Sequence, residues 1–465
     1  MYINQKLEDF NKVLSNKRVA IIGLGVSNIP LLDYLHKYNA EVFVFDNRDI
    51  KEIPDEIIQK IKLYSISYYF GEDNLSKLYG FDLIFRSPSC LPTIPELEEE
   101  AKKGAIITTE IELLMKMCPC KIIGITGSDG KTTTTTLIYE IIKTFGINCH
   151  LGGNIGIPLF TKLNEIKPED IVVLELSSFQ LMEMEISPDI SVITNITPNH
   201  LNIHKNYEEY ITAKKNIFKF QNENGILVLN NDNEITKSFQ KEAKGKVILF
   251  SSKEKLENGF IVEDGIIKKC EDGIRTYILN TKDVKLRGMH NYENICTALS
   301  ATSSIVNIDL AVEIIKKFQG VEHRLELVRE IDGVKWYNDS VSSSPTRTIA
   351  GLNSFNEEIV LIAGGYDKKL DYTPLAKPIV DKVSTLILIG QTSTKILNAV
   401  KIALEKQNKK LDIHMCSSLE ETVELAKKVA KPTQVVLFSP ASASFDMFKN
   451  FADRGEKFKQ ICKNI

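Results

Sequence analysis

The residues that most clearly indicate chemistry lie between positions 124 and 136, where three glycines, one lysine and five consecutive threonines follow an apolar stretch. The segment reads "GITGSDGKTTTTT". Backbone N–H groups in a glycine turn can converge on an anion, and the amino end of a following helix carries partial positive charge. Lys131 adds a mobile charge, and the Thr132 hydroxyl is a suitable ligand for Mg2+. The segment therefore predicts a site for nucleotide phosphates.

The spacing of this segment differs from the strict phosphate-loop motif. That motif needs a glycine five places before Gly130, where Ile125 stands instead, and the glycines here occupy 124, 127 and 130. The alternative is an ordinary glycine turn that leads into a helix. Because β-branched threonines are mediocre helix formers, five of them at a helix start favour phosphate binding over stability alone.

A second glycine turn occurs at residues 23–28, "GLGVSN", after the apolar run "RVAII". Two glycines match the dinucleotide fingerprint, but Asn28 occupies the place of the third glycine. Asp46 ends the next strand, where an acidic residue often binds a ribose. From these residues alone, NAD binding, another nucleotide role and a purely structural turn all remain open.

Two further polar residues follow apolar strands of the middle region. Glu175 ends the strand in "IVVLELS", and His200 lies in the loop after "DISVITNI". In a parallel sheet both would project at the carboxyl edge, beside the phosphate loop. A carboxylate and an imidazole there are plausible Mg2+ ligands. The alternative for His200 alone is a surface-loop histidine.

The composition indicates a soluble, cytoplasmic enzyme. The chain has 465 residues, 43% of them hydrophobic, with 58 basic and 61 acidic side chains and a net charge of -3, which gives no sign of nucleic-acid binding. The polar start lacks a signal sequence, and no apolar run approaches the roughly 18 residues needed to cross a bilayer. The eight cysteines are scattered, and Cys118 and Cys120 have the spacing CxC, so we expect reduced thiols and no zinc site.

The strand and helix pattern predicts an α/β protein of three domains. Strands alternate with helices throughout, which is typical of parallel sheets covered by helices on both faces. We expect a Rossmann-like domain over residues 1–117, a central phosphate-loop ATPase domain with a mostly parallel sheet over 118–319, and a Rossmann-like domain over 320–465. A β-rich stretch is predicted around 225–285.

Taken together, short strings along nearly the whole chain resemble the Mur ligases, the ATP-dependent amino-acid ligases of peptidoglycan precursor synthesis. "WYNDSVSSSPT" and the closing "SPASASFDMFKNFADRG" are most similar to the members that add D-glutamate. The other matching strings are "TGSDGKTT", "GNIG", "ELSSFQL", "TPNHL", "AKKNI", "GMHNYEN" and "EHRLE".

This resemblance implies a site for ATP and two Mg2+ ions. Lys214 matches the lysine that the family carbamylates, a change that turns a cation into an anion able to bind Mg2+. Without the resemblance we would interpret Lys214 as an exposed helix lysine. The implied catalytic residues are Lys131, Glu175, His200 and Lys214, and the implied metal ligands are Thr132, Glu175, His200 and Lys214. The implied ATP contacts are Gly127, Ser128, Asp129, Gly130, Lys131, Thr132, Thr133, Asn154, Asn291, Asn294, Arg324 and Asp339.

The resemblance also implies the two other substrates, UDP-N-acetylmuramoyl-L-alanine and D-glutamate. It makes the first glycine turn a UDP site without a hydride cofactor, and it implies a monomer with no nucleic-acid or membrane partner. The implied contacts of the UDP-linked substrate are Val26, Ser27, Asp46, Asn47, Arg48, Ser177 and Gln180. The implied D-glutamate contacts are His323, Lys368, Ser444, Phe445 and Phe451.

Two departures from the family pattern affect these expectations. Val341 stands where the family has a lysine, so one positive charge is missing near the incoming amino acid, and Arg347 is a candidate to replace it. Asn28 in place of glycine is expected to alter packing more than substrate contact. Alternatives to a D-glutamate ligase are a Mur-type ligase for another amino acid, a folate polyglutamate synthase, and a nucleotide-dependent regulator or NAD oxidoreductase.

Overall fold

The computed structural model describes residues 2–200 and 203–465. The chain divides into two compact units. The first runs to Thr281 and also contains Glu293–Ile315, and the second comprises Lys282–Tyr292 and Lys316–Ile465. Within the described residues, every helix is too short or too polar to span a lipid bilayer.

The first sheet, in the first unit, has five parallel strands in the order β3-β2-β1-β4-β5. The central strand is β1, and the connections on its two sides run in opposite directions, which creates the crevice where such sheets bind ligands. The strands are β1 (Arg18–Ile22), β2 (Glu41–Asp46), β3 (Ser67–Phe70), β4 (Leu83–Arg86) and β5 (Ile106–Thr108). The helices are α1 (Gln5–Leu14), α2 (Ile29–Lys37), α3 (Asp55–Leu63), α4 (Pro95–Lys102) and α5 (Glu110–Met117), with 3-10 turns at Ile50–Glu52 and Asn74–Lys77.

The second sheet, also in the first unit, has nine strands in the order β14-β13-β12-β11-β10-β9-β6-β8-β7. Neighbouring strands from β7 to β12 pair in parallel. The pairs β12–β13 and β13–β14 are antiparallel, so β12 to β14 form a meander. The strands are β6 (Lys121–Thr126), β7 (Cys149–Gly153), β8 (Ile171–Glu175), β9 (Ile190–Ile193), β10 (Ile226–Asn230), β11 (Lys246–Ser251), β12 (Gly259–Glu263), β13 (Ile266–Glu271) and β14 (Ile274–Asn280).

The helices of this middle region include the two that carry the candidate site, α6 and α8. Helix α10 crosses the division between the units, since Tyr292 and Glu293 belong to different ones. The helices are α6 (Lys131–Thr144), α7 (Ser178–Leu181), α8 (Tyr207–Lys219), α9 (Glu234–Ser238), α10 (Met289–Thr302) and α11 (Ile308–Lys317), with 3-10 turns at Phe160–Glu165, Phe239–Glu242 and Thr281–Asp283.

One hydrophobic core joins the first and second sheets. It runs from Leu7 through Phe85 and Phe160 to Phe239, all almost fully buried. The Phe160 ring contacts Phe85 and also Tyr34, at centroid distances of 6.3 and 5.0 Å. Burial of this much apolar surface holds the two sheets together within the first unit.

The third sheet, in the second unit, has six strands in the order β15-β16-β20-β17-β18-β19, and only β15 is antiparallel to its neighbour. Separate apolar clusters cover its two faces. The strands are β15 (Glu326–Ile331), β16 (Val334–Asn338), β17 (Ile359–Ala363), β18 (Val383–Ile389), β19 (Asp412–Cys416) and β20 (Val435–Phe438). The helices are α12 (Pro345–Asn353), α13 (Thr373–Lys382), α14 (Ser393–Gln407), α15 (Leu419–Val429) and α16 (Phe451–Asn464).

The predicted α/β class with three mostly parallel sheets is confirmed. The predicted β-rich stretch is β10 to β14, and its antiparallel end was not foreseen. All eight cysteines carry free thiols, and the sulfurs of Cys118 and Cys120 lie 3.5 Å apart. The domain boundaries at 117/118 and 319/320 stay predictions.

Candidate active site

The predicted phosphate turn, residues 127–130, leaves the middle of the second sheet. Ile125 of β6 lies opposite Glu175 of β8 on one side and Val192 of β9 on the other. Because these strands are parallel, the phosphate turn, Glu175 and the loop that carries His200 all start from one sheet edge. The predicted placement at this edge is confirmed, and the roles of the residues as ligands stay predictions.

Hydrogen bonds fix the phosphate turn to the end of β9. The backbone N–H of Ser128 donates to Asn195 O at 2.9 Å, and that of Asp129 donates to Asn195 Oδ1 at 3.0 Å. The buried Ser128 hydroxyl bonds to Tyr210 Oη at 2.8 Å. These two N–H groups therefore shape the turn and are not free to bind an anion. The first N–H groups of α6 lack acceptors within the helix, and anion binding by them stays a prediction.

Gly130 begins α6 in the left-handed conformation, with φ of 80°. A Cβ there would be strained and would collide with the carboxamide oxygen of Asn294, which also accepts from Thr134 Oγ1 at 3.2 Å. Asn294, a predicted ATP contact, is therefore close to the helix start. Thr133 and Thr135 are buried, as is Thr134, so the threonine run also packs the core, and its role in phosphate binding stays a prediction.

Two lysines meet at one carbonyl of the phosphate turn. Lys131 Nζ donates to Gly127 O at 2.9 Å and to Ser128 O at 3.0 Å. Lys214 Nζ donates to the same Gly127 O at 2.8 Å and to Thr126 Oγ1 at 3.2 Å. The alternative of an exposed Lys214 is wrong, because only 2% of the residue is exposed.

The environment of Lys214 favours its neutral amine. Burial lowers the pKa of Lys214 well below its ordinary value, and the nearby charge of Lys131 lowers it further. The ring of Tyr210 lies 4.9 Å from Lys214 Nζ, and the charges of Asp129 and Glu175 act against this lowering of the pKa without reversing it. A neutral amine is the form that reacts with CO2, so this environment suits the carbamylation that the resemblance implies.

Glu175 is 1% exposed and only half of its carboxylate is satisfied. Oε1 accepts from Asn154 Nδ2 at 2.8 Å, whereas Oε2 is buried without a hydrogen-bond partner. An unsatisfied buried oxygen of this kind costs about 1–3 kcal/mol, which a bound cation would relieve. Glu175 therefore fits a metal ligand. Asn154, a predicted nucleotide contact, here holds the Glu175 side chain.

His200 is exposed and adopts a left-handed backbone conformation, with φ of 56°. Its ring meets the Phe179 ring edge-on at a centroid distance of 5.3 Å. The next two residues, Leu201 and Asn202, lie outside the described part of the chain. An exposed histidine on a loop beside the phosphate turn is accessible to a ligand that arrives from solvent.

The residues at this edge fit Mg2+ that binds together with a nucleotide. In the parts of the chain that the structure describes, no three His, Cys, Asp or Glu side chains converge on a point. Mg2+ commonly uses one or two carboxylates and completes its octahedron with phosphate oxygens and water. The Oε2 of Glu175 that lacks a hydrogen-bond partner, the half-buried Thr132 at the start of α6 and, if Lys214 is carbamylated, its carbamate would provide such a donor set.

The first glycine turn holds a different constellation. The Asp46 carboxylate accepts from Leu24 N at 2.7 Å and pairs with the Arg48 guanidinium at 2.7 and 2.8 Å. Burial opposes ionisation of Asp46, but the hydrogen bonds from Arg48 and the backbone lower its pKa overall. Val26 and Asn47 are exposed beside this pair, so they are accessible to a ligand. Ser27, also predicted here, is half-buried.

Asn28 acts on this turn through hydrogen bonds. Its buried side chain donates to Ile22 O at 3.2 Å and to Gly23 O at 2.9 Å. A glycine would only allow helix and strand to approach, whereas the asparagine ties α2 to the end of β1. Asn28 therefore affects the turn itself, and its expected lack of effect on substrate contact stays a prediction.

Ser177 and Gln180, the predicted contacts of the muramoyl group, cap the short helix α7. Ser177 Oγ accepts from Gln180 N at 3.2 Å, while Ser177 N and Oγ both lie 2.9 Å from Gln180 Oε1. This reciprocal capping fixes the chain directly after Glu175. Contact of either side chain with a substrate stays a prediction.

In the second unit, Asp339 follows β16 and is 2% exposed. It accepts from Ser439 Oγ at 2.7 Å and from Leu325 N at 3.3 Å, and burial raises its pKa to about 6. The neighbouring charge of Arg324 acts in the opposite direction on this pKa. Asn291, the remaining predicted nucleotide contact, donates to Arg287 O at 2.7 Å.

His323, a predicted D-glutamate contact, is 7% exposed. Its Nδ1 lies 2.9 Å from Asn338 Nδ2, and its carbonyl accepts from Val341 N at 3.1 Å. The imidazole therefore contacts the last residue of β16, and the backbone carbonyl holds the segment that follows. Contact of His323 with D-glutamate stays a prediction.

The other predicted D-glutamate contacts lie around the loop after β20. Ser444 is buried, whereas Phe445 and Phe451 are 60% and 43% exposed. Lys368 Nζ lies 5.7 Å from the centre of the Phe445 ring. Lys368 and Phe445 are thus neighbours, and their contact with D-glutamate stays a prediction.

Arg347 lies beside the position of the missing lysine. Its Nη1 donates to Val341 O at 3.4 Å. This contact places a guanidinium next to Val341, which fits the expectation that Arg347 replaces the lost charge.

The sequence analysis did not predict a role for two residues of these sites, Arg454 and Tyr210. Arg454 is 2% exposed and donates to Ser340 O, Ser442 O and Ala443 O at 2.7 to 3.0 Å, so it ties the loops after β16 and β20 together. Tyr210, which contacts both Ser128 and Lys214, could have been found from its place four residues before Lys214 on one helix face. Arg454 offered no comparable signal.

Comparison with known proteins agrees with this architecture. Three family models match the chain: Mur ligase MurD-like, N-terminal domain, at 17–109; Mur ligase middle domain at 125–302; and Mur ligase, glutamate ligase domain, at 323–442. The UDP-N-acetylmuramoylalanine–D-glutamate ligase of Acetivibrio thermocellus is 49% identical over 465 residues, with 100% of both chains covered.

Solved structures show the same fold at low identity. The UDP-N-acetylmuramate-alanine ligase of Thermotoga maritima has a TM-score of 0.59 and 17% identity, over 97% of this chain and 100% of that one. The MurF ligase of Thermotoga maritima, solved in complex with ADP, has a TM-score of 0.56 and 18% identity, over 98% and 97% of the chains. Full-length identity of 49% to the first relative and matches to all three domain models establish the relationship. This chain belongs to the Mur ligase family.

Proposed function

We propose that this chain is an ATP-dependent ligase that joins D-glutamate to UDP-N-acetylmuramoyl-L-alanine in peptidoglycan precursor synthesis. The observation that carries the proposal is the buried Lys214 amine, which shares the Gly127 carbonyl with Lys131 at the strand edge that bears Glu175. The name of the full-length relative at 49% identity supports the choice of substrates.

The reaction has two chemical steps. A carboxylate oxygen of UDP-N-acetylmuramoyl-L-alanine attacks the γ-phosphorus of ATP, the bond to the β–γ bridging oxygen breaks, and ADP leaves. The amine of D-glutamate then attacks the acyl-phosphate carbonyl through a tetrahedral intermediate. The C–O bond to phosphate breaks, phosphate leaves, and the nitrogen loses a proton to give the amide. Phosphorylation thus converts a poor leaving group into a good one.

The first unit supplies the groups that hold the transferring phosphoryl group. The amino end of α6 and the Lys131 ammonium bind the ATP phosphates, with Asn294 beside the start of the helix. Thr132, Glu175, His200 and carbamylated Lys214 would hold two Mg2+ ions. When bound, these ions neutralise the charge that moves between the phosphates.

Carbamylation is proposed for Lys214 because its surroundings oppose an ammonium ion. The neutral amine attacks CO2, a C–N bond forms, and the nitrogen loses one proton. The buried amine thus becomes a carbamate anion. That anion would contribute an oxygen ligand, and the cost of burying a charge would be offset by the metal.

The other substrates are assigned to the first glycine turn and to the second unit. Asp46 and Arg48 fix the turn on which Val26, Ser27 and Asn47 are available to the uridine diphosphate. Lys368 and Arg347 supply positive charge for the D-glutamate carboxylates. A cytoplasmic monomer is part of the same proposal.

A panel of amino acids tests the proposal. The chain is incubated with ATP, Mg2+, UDP-N-acetylmuramoyl-L-alanine and either D-glutamate, L-lysine or diaminopimelate, and ADP release is coupled to NADH oxidation. We expect release with D-glutamate and none above background with the other two. Release with a different amino acid would assign another Mur-type specificity, and release that ignores the amino acid would contradict a ligase.

A further inference from the structure

His204 is a buried histidine of the first unit that the reaction described above does not use. Its side chain is 0% exposed and makes two hydrogen bonds. Nε2 lies 2.9 Å from Ser178 Oγ, and Nδ1 lies 3.2 Å from Glu209 Oε2. Because an ionised carboxylate only accepts, Nδ1 carries the hydrogen that points to Glu209, and Nε2 accepts from the Ser178 hydroxyl.

The partners of His204 belong to three of the four segments that carry candidate metal ligands. Ser178 begins α7, three residues after Glu175. Glu209 lies in α8, the helix that bears Lys214. The backbone N–H of His204 donates to the carbonyl of His200 at 3.0 Å. His204 therefore links the chain segments of Glu175 and Lys214 through its imidazole and that of His200 through its backbone.

Aromatic contacts extend this link to the ring of His200. The Phe179 ring stacks on His204 at 5.0 Å with an interplanar angle of 7°, and it meets the His200 ring edge-on at 5.3 Å. On the other side, His204 contacts the ring of Tyr210, whose hydroxyl reaches Ser128 in the phosphate turn. A shift of His204 would therefore displace rings that touch both a candidate ligand and the phosphate turn.

The order Ser178, His204, Glu209 also matches a hydrolytic relay, but burial excludes that role. Ser178 is 2% exposed, so no substrate carbonyl can reach its hydroxyl. Simple core filling does not explain the cluster either, because a filler needs no hydrogen bonds to two separate segments. The arrangement is that of a residue behind a metal site, which orients ligands without touching the metal.

We propose that His204 is a positioning residue that sets the relative placement of Glu175, His200 and Lys214 for Mg2+. The inference rests on the proposed function, since it takes these three side chains as ligands. His204 acts through its hydrogen bonds to Ser178 and Glu209 and through its stacking on Phe179.

The test compares His204→Phe with His150→Phe. The first keeps an aromatic ring against Phe179 and removes both hydrogen bonds. The second changes a histidine that also pairs with a carboxylate, Asp170 at 2.9 Å, but at the amino-terminal end of the same sheet. Binding of Mn2+ in the presence of ADP is measured by electron paramagnetic resonance, ADP binding without metal by calorimetry, and the half-saturating Mg2+ concentration in the ADP-release assay.

We expect His204→Phe to weaken Mn2+ binding by about 10- to 100-fold and to raise the half-saturating Mg2+ concentration in parallel. Metal-free ADP affinity should stay within twofold of the unaltered chain, because the amino end of α6 is untouched. His150→Phe should leave all three quantities unchanged. Mn2+ affinity of His204→Phe within twofold of the unaltered chain would overturn the inference.

The measurements distinguish a failure of the role proposed for His204 from a failure of the proposed function. If the unaltered chain binds no Mn2+ with ADP and releases no ADP with its substrates, the proposed function fails. If it does both while His204→Phe and His150→Phe behave alike, only the role of His204 fails. Should His204→Phe not fold, Ser178→Ala carries the same test: it removes one hydrogen bond, a several-fold loss of Mn2+ affinity is expected, and an unchanged affinity overturns the inference.

Discussion

Lys214 in the first unit and Arg454 in the second are both cationic side chains with 2% exposure. Neither has a carboxylate among its hydrogen-bond partners: Lys214 donates to Gly127 O and Thr126 Oγ1, and Arg454 donates to three carbonyls and a hydroxyl of two loops. Burial lowers the pKa of Arg454 to about 10, so it keeps its charge at neutral pH. Burial and Lys131 lower the pKa of Lys214 well below its usual range.

The difference shows how the same degree of burial produces two kinds of residue. A guanidinium has five donors in a rigid fork, so it can satisfy several carbonyls and remain charged. An ammonium group loses its proton more readily, and the neutral amine is a nucleophile. Arg454 is therefore a fixed tie between the loops after β16 and β20, whereas Lys214 is the group that chemistry can modify.

The largest expected effect is that of Lys214→Met. It removes the amine but keeps an apolar stem, so the ligase rate should fall by roughly 10^2- to 10^3-fold as a charge-stabilising ligand is lost. The melting temperature should stay near that of the unaltered chain or exceed it, because a desolvated amine is gone. Turnover at saturating substrates and thermal unfolding measure both effects.

Lys215→Met is the matched control for this change. Lys215 is the next residue of α8 and pairs with Glu242 at the surface, so its loss should change turnover less than twofold. If Lys214→Met keeps more than a tenth of the activity, Lys214 has a structural role, like Arg454, and not a catalytic one.

Arg454→Met should lower the free energy of unfolding of the second unit by about 3 kcal/mol, because buried carbonyls of Ser340, Ser442 and Ala443 lose their donor. The KM for D-glutamate should rise more than kcat falls, since the loop that carries Ser444 is released. Denaturant unfolding and steady-state kinetics measure these changes.

Arg329→Met serves as control for Arg454, because Arg329 also donates to two carbonyls but at a partly exposed site. Its effect on unfolding should stay below about 1 kcal/mol. Equal effects of the two substitutions would show that burial of Arg454 adds nothing to its role.

Glu110 extends the comparison of buried charged groups to a carboxyl that lies outside the candidate site. Burial raises its pKa to about 7, against an ordinary value of 4.5. At a pH between 4.5 and about 7, the Glu110 carboxyl is protonated in the folded chain and ionised in the unfolded chain. The contribution of Glu110 to the free energy of unfolding is therefore complete below pH 4.5 and is lost as the pH rises through about 7. Its slope is at most about 1.4 kcal/mol per pH unit.

Glu110→Gln should therefore remove this dependence, while turnover at pH 7.5 changes little. Urea unfolding of both chains between pH 4.5 and 8 measures the difference, and the exposed Glu99→Gln is the control. A slope that persists in Glu110→Gln would assign the titration to another group.

The smallest effect is expected for Asn28→Gly. The change removes two hydrogen bonds to the end of β1 and frees the backbone, which should cost about 1 kcal/mol. Because Asn28 is buried, the KM for the UDP-linked substrate should change less than twofold. A larger change in KM would show that Asn28 also shapes the substrate site.

The sequence allowed the strand ends to be predicted, because a parallel sheet brings the residues after neighbouring strands to one edge. Glu175 and the phosphate turn were placed in this way. The burial of Lys214 was not predictable, since the face that α8 turns inwards depends on tertiary packing. The roles of Arg454 and His204 were not predictable either, because their hydrogen-bond partners Ser340 and Ser178 are distant in sequence. Antiparallel pairing of β15 left no clear signal in the sequence.

The central claim is that the strand edge around Lys214 activates a carboxylate as an acyl phosphate. UDP-N-acetylmuramoyl-L-alanine labelled with 18O in both carboxylate oxygens tests it most directly, by mass spectrometry of the phosphate released with ATP and D-glutamate. The account predicts one 18O atom in each phosphate and one in each amide product, because the attacking oxygen leaves with the phosphoryl group. Unlabelled phosphate formed together with the amide product would contradict it.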